Sequence, residues 1–501
     1  MFTKKPDKAA KTASVEPWCA TPLTIVPKAF FIPVTLIKPG KTNWRTRLLI
    51  LGLCVFVLLA LLVAAAWLKL ASEDRAARLE IQKQLAAIHA AGQPLTGNDL
   101  AKLYPDPPPE RDAALLLKPA LAALTLRKDS TNLPFWGGSF PIGNAPLDKP
   151  MLAEIQTWAD KNRPVLDLVP WEKLSGAWIG VGYPAALTNF HNTNLENLNP
   201  LAKGLCQDAM LEAELQHPHA AALDLQHALM LGTTLKNGVP IHSMIRFIIE
   251  ARVCNSLNRV LNTTALTDHD LMTLPALFSD TNRGAAKDIM MQERCLGLFM
   301  ADKLRSQIGR PPHAILPLGW LIHSYRDKFI YRDQDLLNYL DWNDRYLAVL
   351  DQPLSNGIPA ILAFESANDA FVKRHPPSFL NTFRKNRVSF LALSEPDLSA
   401  FLRPEGELVA HVRVTCAALA VERWRLANGH QVPDSLAELV PGILSSMPTD
   451  PFDGRPLRYK KLTRGYVIYS LGPDFIDDGG KAKPADAEDS AHYDITFEVD
   501  R

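Results

Sequence analysis

The sequence predicts a mainly α-helical protein with an N-terminal transmembrane helix, a helical-array domain and a small α+β unit at its C-terminal end. Three observations carry this. Leu48–Leu68 (LLILGLCVFVLLALLVAAAWL) contains no charged side chain, and as a helix it spans roughly 31 Å, about the thickness of a bilayer's hydrocarbon core. From Met151 to about Leu354 apolar residues recur at helical spacing and alternating patterns are almost absent. Beyond Pro441-Gly442, which ends a short helix capped by Asp434-Ser435, the period shortens to that of strands.

A chain of 501 residues exceeds one ordinary core and suggests roughly three units. Charged residues at 21% and apolar ones at 47% describe a globular chain. A net charge of +1 leaves no basic stripe for a nucleic-acid partner. The six cysteines (Cys19, Cys54, Cys206, Cys254, Cys295, Cys416) contain no pair at metal-clip spacing, which excludes a CxxC-type zinc site. The four beyond the span are read as small buried hydrophobes; two disulfides remain the alternative if their domain is extracytoplasmic.

The tail, residues 1–47, carries prolines at 17, 22, 27, 33 and 39, a spacing that forbids a helix. Its apolar residues, among them Phe30, Phe31 and Ile32, leave two readings: a segment lying along the membrane or a partner, or a mobile tail. The span at 48–68 is longer than a signal-peptide core and is flanked by Trp44 and Trp67 at interface positions, so it reads as a retained anchor. Five basic residues lie within about 20 positions before it and four after it, with Arg45 and Arg47 at the edge. This places the N-terminus in the cytoplasm of a bacterial inner membrane and the large domain outside.

Ser72–Ala91 continues as a helix to Gly92 and Pro94, and a short helical piece surrounds Leu100. The Tyr104–Pro109 run is a rigid joint before a helix over Arg111–Leu126; Leu133–Pro150 is a Gly/Pro-rich loop. Helices are then predicted over Met151–Asn162, Leu201–Gln216, His219–Leu235, His242–Leu261, Thr267–Phe278, Gly284–Leu304 and Gln334–Leu350, in tetratricopeptide-like pairs without a strict repeat. This helical domain covers 72–354. Residues 355–404, with five prolines, read as a connecting joint. The unit 405–501 opens on a helix, Glu405–Leu426, and carries strands at Leu457–Lys461, Gly465–Leu471 and Ile495–Val499.

The densest motif set lies at Pro448–Arg501: Asp450-Pro451-Phe452 with Gly454, Tyr459, Tyr469-Ser470-Leu471-Gly472-Pro473-Asp474 and Asp494-Ile495. With the preceding helix, these about 95 residues resemble the globular domain of the type II secretion major pseudopilin, and the whole chain resembles bacterial single-pass membrane proteins ending in such a module. The resemblance implies calcium bound in the last loop, by Asp474, Asp489 and Asp494, with the additional Asp477 and Asp478 beside them. Calcium takes six to eight hard oxygens, which such a carboxylate loop supplies. A solvated acidic turn without metal is the alternative. Phe475 stands where the family has glycine, and the span lies far upstream of the module, so the chain is not expected to be a filament subunit.

Other candidates lie in the helical domain. Gly180-Val181-Gly182-Tyr183-Pro184-Ala185 spells GxGxxA without a strand–helix frame. His219 and His227 fall two turns apart on one helical face, near His217 and Asp224. Arg246 and Glu250 are spaced i, i+4 in an apolar helix, and Asp268-His269-Asp270 reads as a helix start after Thr267. No GxSxG, HExxH or P-loop occurs. The expected function is a membrane-anchored extracytoplasmic scaffold with protein partners, linked to secretion or envelope assembly, without an evident small-molecule substrate. The alternative is an extracytoplasmic hydrolase whose site is assembled from Glu250, His219 or His227.

Overall fold

The computed structural model describes residues 43–125, 147–183, 185, 195, 197–235, 240–278, 285–307, 333–374, 399–482 and 493–501. Of the tail, all but Asn43 to Arg47 lies outside them. The chain divides into residues 1–69 and 70–501. In the first part, helix α1 (Trp44–Ala90) begins where Asn43 accepts the Thr46 and Arg47 amides. Its apolar window is wholly exposed, and α1 is the one helix among the described residues long and apolar enough to cross a membrane.

Within 70–501, the later turns of α1 bury Ala77, Ile81 and Ile88, the stripe a helix presents at spacings of four and seven. Ile81 and Leu85 pack with Ala301, Leu336, Tyr339 and Leu340 of α10 (Ala285–Gln307) and α11 (Asp333–Leu350). Asp333, 3% exposed, accepts from Arg78 of α1 and Arg305 of α10. The fully buried Arg294 of α10 fastens the turn after α1, donating to Gln93 Oε1 at 2.9 Å and the Pro94 carbonyl at 3.2 Å.

Helix α2 (Gly97–Leu103) starts on a Thr96–Asp99 capping box, and α3 (Ala113–Ala123) on Asp112, whose carboxylate accepts the Ala114 amide. Helix α4 (Lys149–Leu166) lies against α6 (Leu198–Glu214) so closely that a Cβ at Gly204 would fall 1.8 Å from the Trp158 ring. After the single turn α5 (Trp171–Leu174), α6 and α7 (Pro218–Thr233) form a hairpin, and α8 (Pro240–Thr263) packs across both. Thr267 caps α9 (Asp268–Thr273) through a capping box with Asp270, as the Thr-Asp-His-Asp spelling predicts.

The segment 355–404 differs from the expected joint. Its described parts are helical: α12 (Leu354–Arg374) contains Pro359 and α13 (Ser399–Ala427) contains Pro404. Each proline is the sixth residue of its helix, where it removes one backbone hydrogen bond near the start and leaves the rest of the ladder intact. Pro376, Pro377 and Pro396 lie outside the described residues.

Strands β1 (Arg458–Leu462), β2 (Gly465–Ser470) and β3 (Ile495–Asp500) form an antiparallel sheet in the order β1-β2-β3. β2 is buried along its whole length and β3 on alternate residues. The sheet and α13 do not stand apart from the helices: Leu205, Leu225, Leu257, Val414, Tyr466 and Phe497 belong to one hydrophobic core. Side chains of α8 complete the edge of β3. Asn258 and Asn262 donate to the Glu498 carbonyl at 3.1 and 2.7 Å, and Asn262 Oδ1 accepts the Asp500 amide at 2.9 Å. An unpaired strand edge is thereby satisfied by a helix.

Candidate functional site

The C-terminal motifs meet on one carboxylate. Asp450, 1% exposed, accepts at Oδ1 from the Phe452 amide (2.9 Å) and Ser470 Oγ (2.8 Å). Its Oδ2 accepts from the Leu471 amide (2.9 Å) and Arg458 Nη1 (2.5 Å). Arg458 reaches Asp453 with its other nitrogen at 2.5 Å. The Asp-Pro-Phe turn and the Ser-Leu-Gly turn, twenty residues apart, are thus halves of one junction. Phe452 is buried edge-on to Phe475, with ring centres 5.8 Å apart. Gly454, at φ 73°, closes the first turn onto the Asp450 carbonyl.

The acidic loop leaves this junction. Asp474 Oδ1 accepts the Ile476 amide at 3.1 Å and Asp477 Oδ1 the Gly479 amide at 2.9 Å. Asp494 accepts the Gly480 amide at 2.6 Å and the Asp478 amide at 3.4 Å, drawing the loop back to the start of β3. Burial raises the Asp494 pKa against the pull of the Gly480 and Asp478 amides, and Asp477 and Asp478 raise it further. Asp478 Oδ2 is buried, without a hydrogen-bond partner among the described residues. That orphaned oxygen beside Asp494 is the chemistry a hard cation answers. Among the described residues, however, no three His, Cys, Asp or Glu side chains gather as a metal shell. Asp489 lies outside the described residues.

In the helical domain the candidates take separate partners. Glu250 Oε1 accepts from Arg246 Nε at 2.8 Å, and both are buried on α8. His219 Nδ1 lies 3.0 Å from Asp270 Oδ1, the buried acid of the α9 capping box. His227 stacks flat on Trp171 with ring centres 3.8 Å apart, and burial depresses its pKa to about 4. Gly180–Gly182 has no regular secondary structure, with Gly182 at φ 73° and its amide on Asp106 Oδ1 at 2.9 Å. Ile179 reaches the Thr234 carbonyl at 2.9 Å, so this stretch ties the loop before α3 to the end of α7. Among the described residues Cys206, Cys254, Cys295 and Cys416 form no disulfide, and the first three are buried; burial pushes Cys206 and Cys295 up to about 12.

Sequence reasoning named His217 and Asp224 but missed the polar cluster between α4, α6 and α7 that they join. Arg163 of α4 binds Asp208 through Nη2 (3.1 Å) and Nε (3.4 Å) and also donates to Glu212. His217 Nδ1 lies 2.8 Å from Glu212 Oε2. Asp224 stands beside them; burial, then the Asp208 and Glu212 charges, hold its pKa well above the usual carboxylate range. The signal was the i, i+4 pair Asp208 and Glu212 in a helix whose other buried residues are mostly apolar, the same spacing read at Arg246 and Glu250. A second hub, Glu422, accepts from Tyr466, Arg425 and Arg501 and fastens α13 to the sheet.

Two expected outcomes follow from these geometries. Asp450→Ala removes the acceptor of four donors and lowers stability by about 3–5 kcal/mol in denaturant titration, with Asp450→Asn losing less. Acid sensitivity comes from histidines held neutral. His242, 1% exposed with neither ring nitrogen hydrogen-bonded among the described residues, is depressed by burial from 6.5 to about 4, as are His227 and His411. Between those values the unfolded chain binds protons that the fold does not, so stability falls as pH drops from 6.5 toward 4. His242→Leu flattens that slope in melting curves measured across the window.

No protein-family model matches the chain, and no curated protein or solved structure is detectably similar to it.

Proposed function

We propose that the chain is a single-pass scaffold of a bacterial inner membrane, with its N-terminus cytoplasmic and residues 70–501 on the outer side, serving secretion or envelope assembly. The observation that carries this reading is the wholly exposed apolar window of α1. Interaction rather than catalysis is supported by the use of the buried charges: Glu250, Asp450 and Glu422 each fasten one element to another or to itself. The C-terminal module resembles that of the type II secretion pseudopilin, and its acidic loop is a calcium site in which Asp474, Asp494 and Asp489 are ligands with Asp477 and Asp478. Calcium would supply the counter-charge that Asp478 Oδ2 lacks.

Topology is tested with reporters active only outside the cytoplasm. A fusion after Arg501 is expected to be active and one before Phe2 inactive; the reverse pattern overturns the orientation. Calcium is tested by calorimetry of the full chain in detergent micelles. At one hundred times its dissociation constant calcium stabilises by about 2.7 kcal/mol, and Asp478→Asn and Asp494→Asn weaken that gain. An unchanged melting temperature with calcium removes the metal from the proposal.

A further inference from the structure

Helix α4 is attached differently from its neighbours. Residues 149–162 pack through Ile155, Trp158 and Ala159 into a small cluster with Met210 and Leu211 of α6, separate from the main core. Val165 and Val169, immediately beyond, belong to the main core. Between the two lies Pro164, which cannot donate to the Asp160 carbonyl, so the helical ladder is already interrupted at this junction. Asn162 ties the arm to the end of α3, accepting the Thr125 amide at 2.9 Å.

The surface under this arm has a definite chemistry. Gly204 is a notch filled by the Trp158 ring. Beside it Asp208 and Glu212 are nearly buried and share one guanidinium, that of Arg163, itself 43% exposed. Asp224 of α7 faces the same cluster, and among the described residues it takes no hydrogen bond. Three carboxylates therefore meet one fixed cation, with His217 on Glu212 as the other basic group and Asp160 of α4 adding a further acid. Such an imbalance favours a more cationic occupant than α4 provides.

We propose that residues 149–162 form a hinged arm that covers, in cis, an acid-lined groove of α6 and α7, and that the groove's partner is a basic amphipathic helix. That helix would seat an aromatic side chain at Gly204 and bring one cation for Asp208 and Glu212 and a second for Asp224. Recognition would be of the helix-in-groove kind, with the arm as an internal competitor that lowers apparent affinity by the fraction of time it is closed. The inference rests on reading the chain as an interaction protein and names the partner's chemistry.

The test is hydrogen–deuterium exchange on the full chain in detergent micelles, with a synthetic peptide of residues 149–166 carrying Asp160→Lys as the probe. In the unaltered chain the amides of 149–162 exchange at least tenfold faster than those of α6. Arg163→Ala raises arm exchange a further tenfold while α6 and α7 keep their protection, and this variant binds the peptide. Adding Asp208→Asn and Glu212→Gln weakens that binding at least tenfold. Arm amides as protected as those of α6 in the unaltered chain overturn the hinge, whatever the fate of the variant. A rise shared by α6 and α7, or peptide binding indifferent to Asp208 and Glu212, overturns the groove. The reporter fusions read topology independently, so failure here and failure of the anchored-scaffold reading are distinguishable.

Discussion

A charge taken out of water must meet a partner, and this constraint governs how the elements of residues 70–501 fit together. An isolated buried ion costs several kcal/mol, so its counter-group fixes where the neighbouring element can sit. Asp333 holds α1 against α10 through Arg78 and Arg305. Arg294 holds the Gln93-Pro94 turn, Asp208 and Glu212 hold α4, Glu422 holds the sheet, and Asp450 holds two turns of the C-terminal unit. Each of these seams has such a pin. Apolar contact between helices is non-directional and tolerates sliding; the pins remove that freedom.

The same constraint explains why the C-terminal unit is not a separate body. A three-stranded sheet is small, and its outer strand exposes backbone groups that water or another chain would otherwise take. Asn258 and Asn262 of α8 satisfy that edge, and Tyr466, fully buried, hydrogen-bonds Glu422 on α13. Apolar burial and polar satisfaction agree in direction. The helices and the sheet share a core because the sheet cannot finish its hydrogen bonding alone.

Much of this was legible in the sequence. The strand boundaries fall within one or two residues of Leu457–Lys461, Gly465–Leu471 and Ile495–Val499, because alternation and Gly-rich turns are local signals. The helices of the array were equally clear, since a stripe such as Leu201, Leu205 and Ala209 needs no knowledge of its partner. Pro359 and Pro404 misled because proline content alone does not say how near a helix start it lies. Nor could spacing reveal that Asp208 faces Arg163 across 45 positions. The acidic loop was visible as composition, while its hydrogen bonding to the Gly479 and Gly480 amides is a property of the fold.

Magnitude decides how the first part of the chain must be understood. Between Leu48 and Leu68, fifteen large apolar side chains stand more than a third exposed. Burying each is worth about 1.5–3 kcal/mol, so leaving them in water would cost roughly 20–45 kcal/mol, more than the whole stability of a typical domain. No pin of the kind found at Asp333 or Asp450 could offset that. The run therefore requires an apolar surrounding that the rest of α1 does not supply. It contains no charged side chain, and its one strong side-chain hydrogen-bond donor, Trp67, stands at its end, so little in it selects a particular protein neighbour. Length, exposure and lack of charge make α1 the one helix among the described residues that is long and apolar enough to cross a membrane.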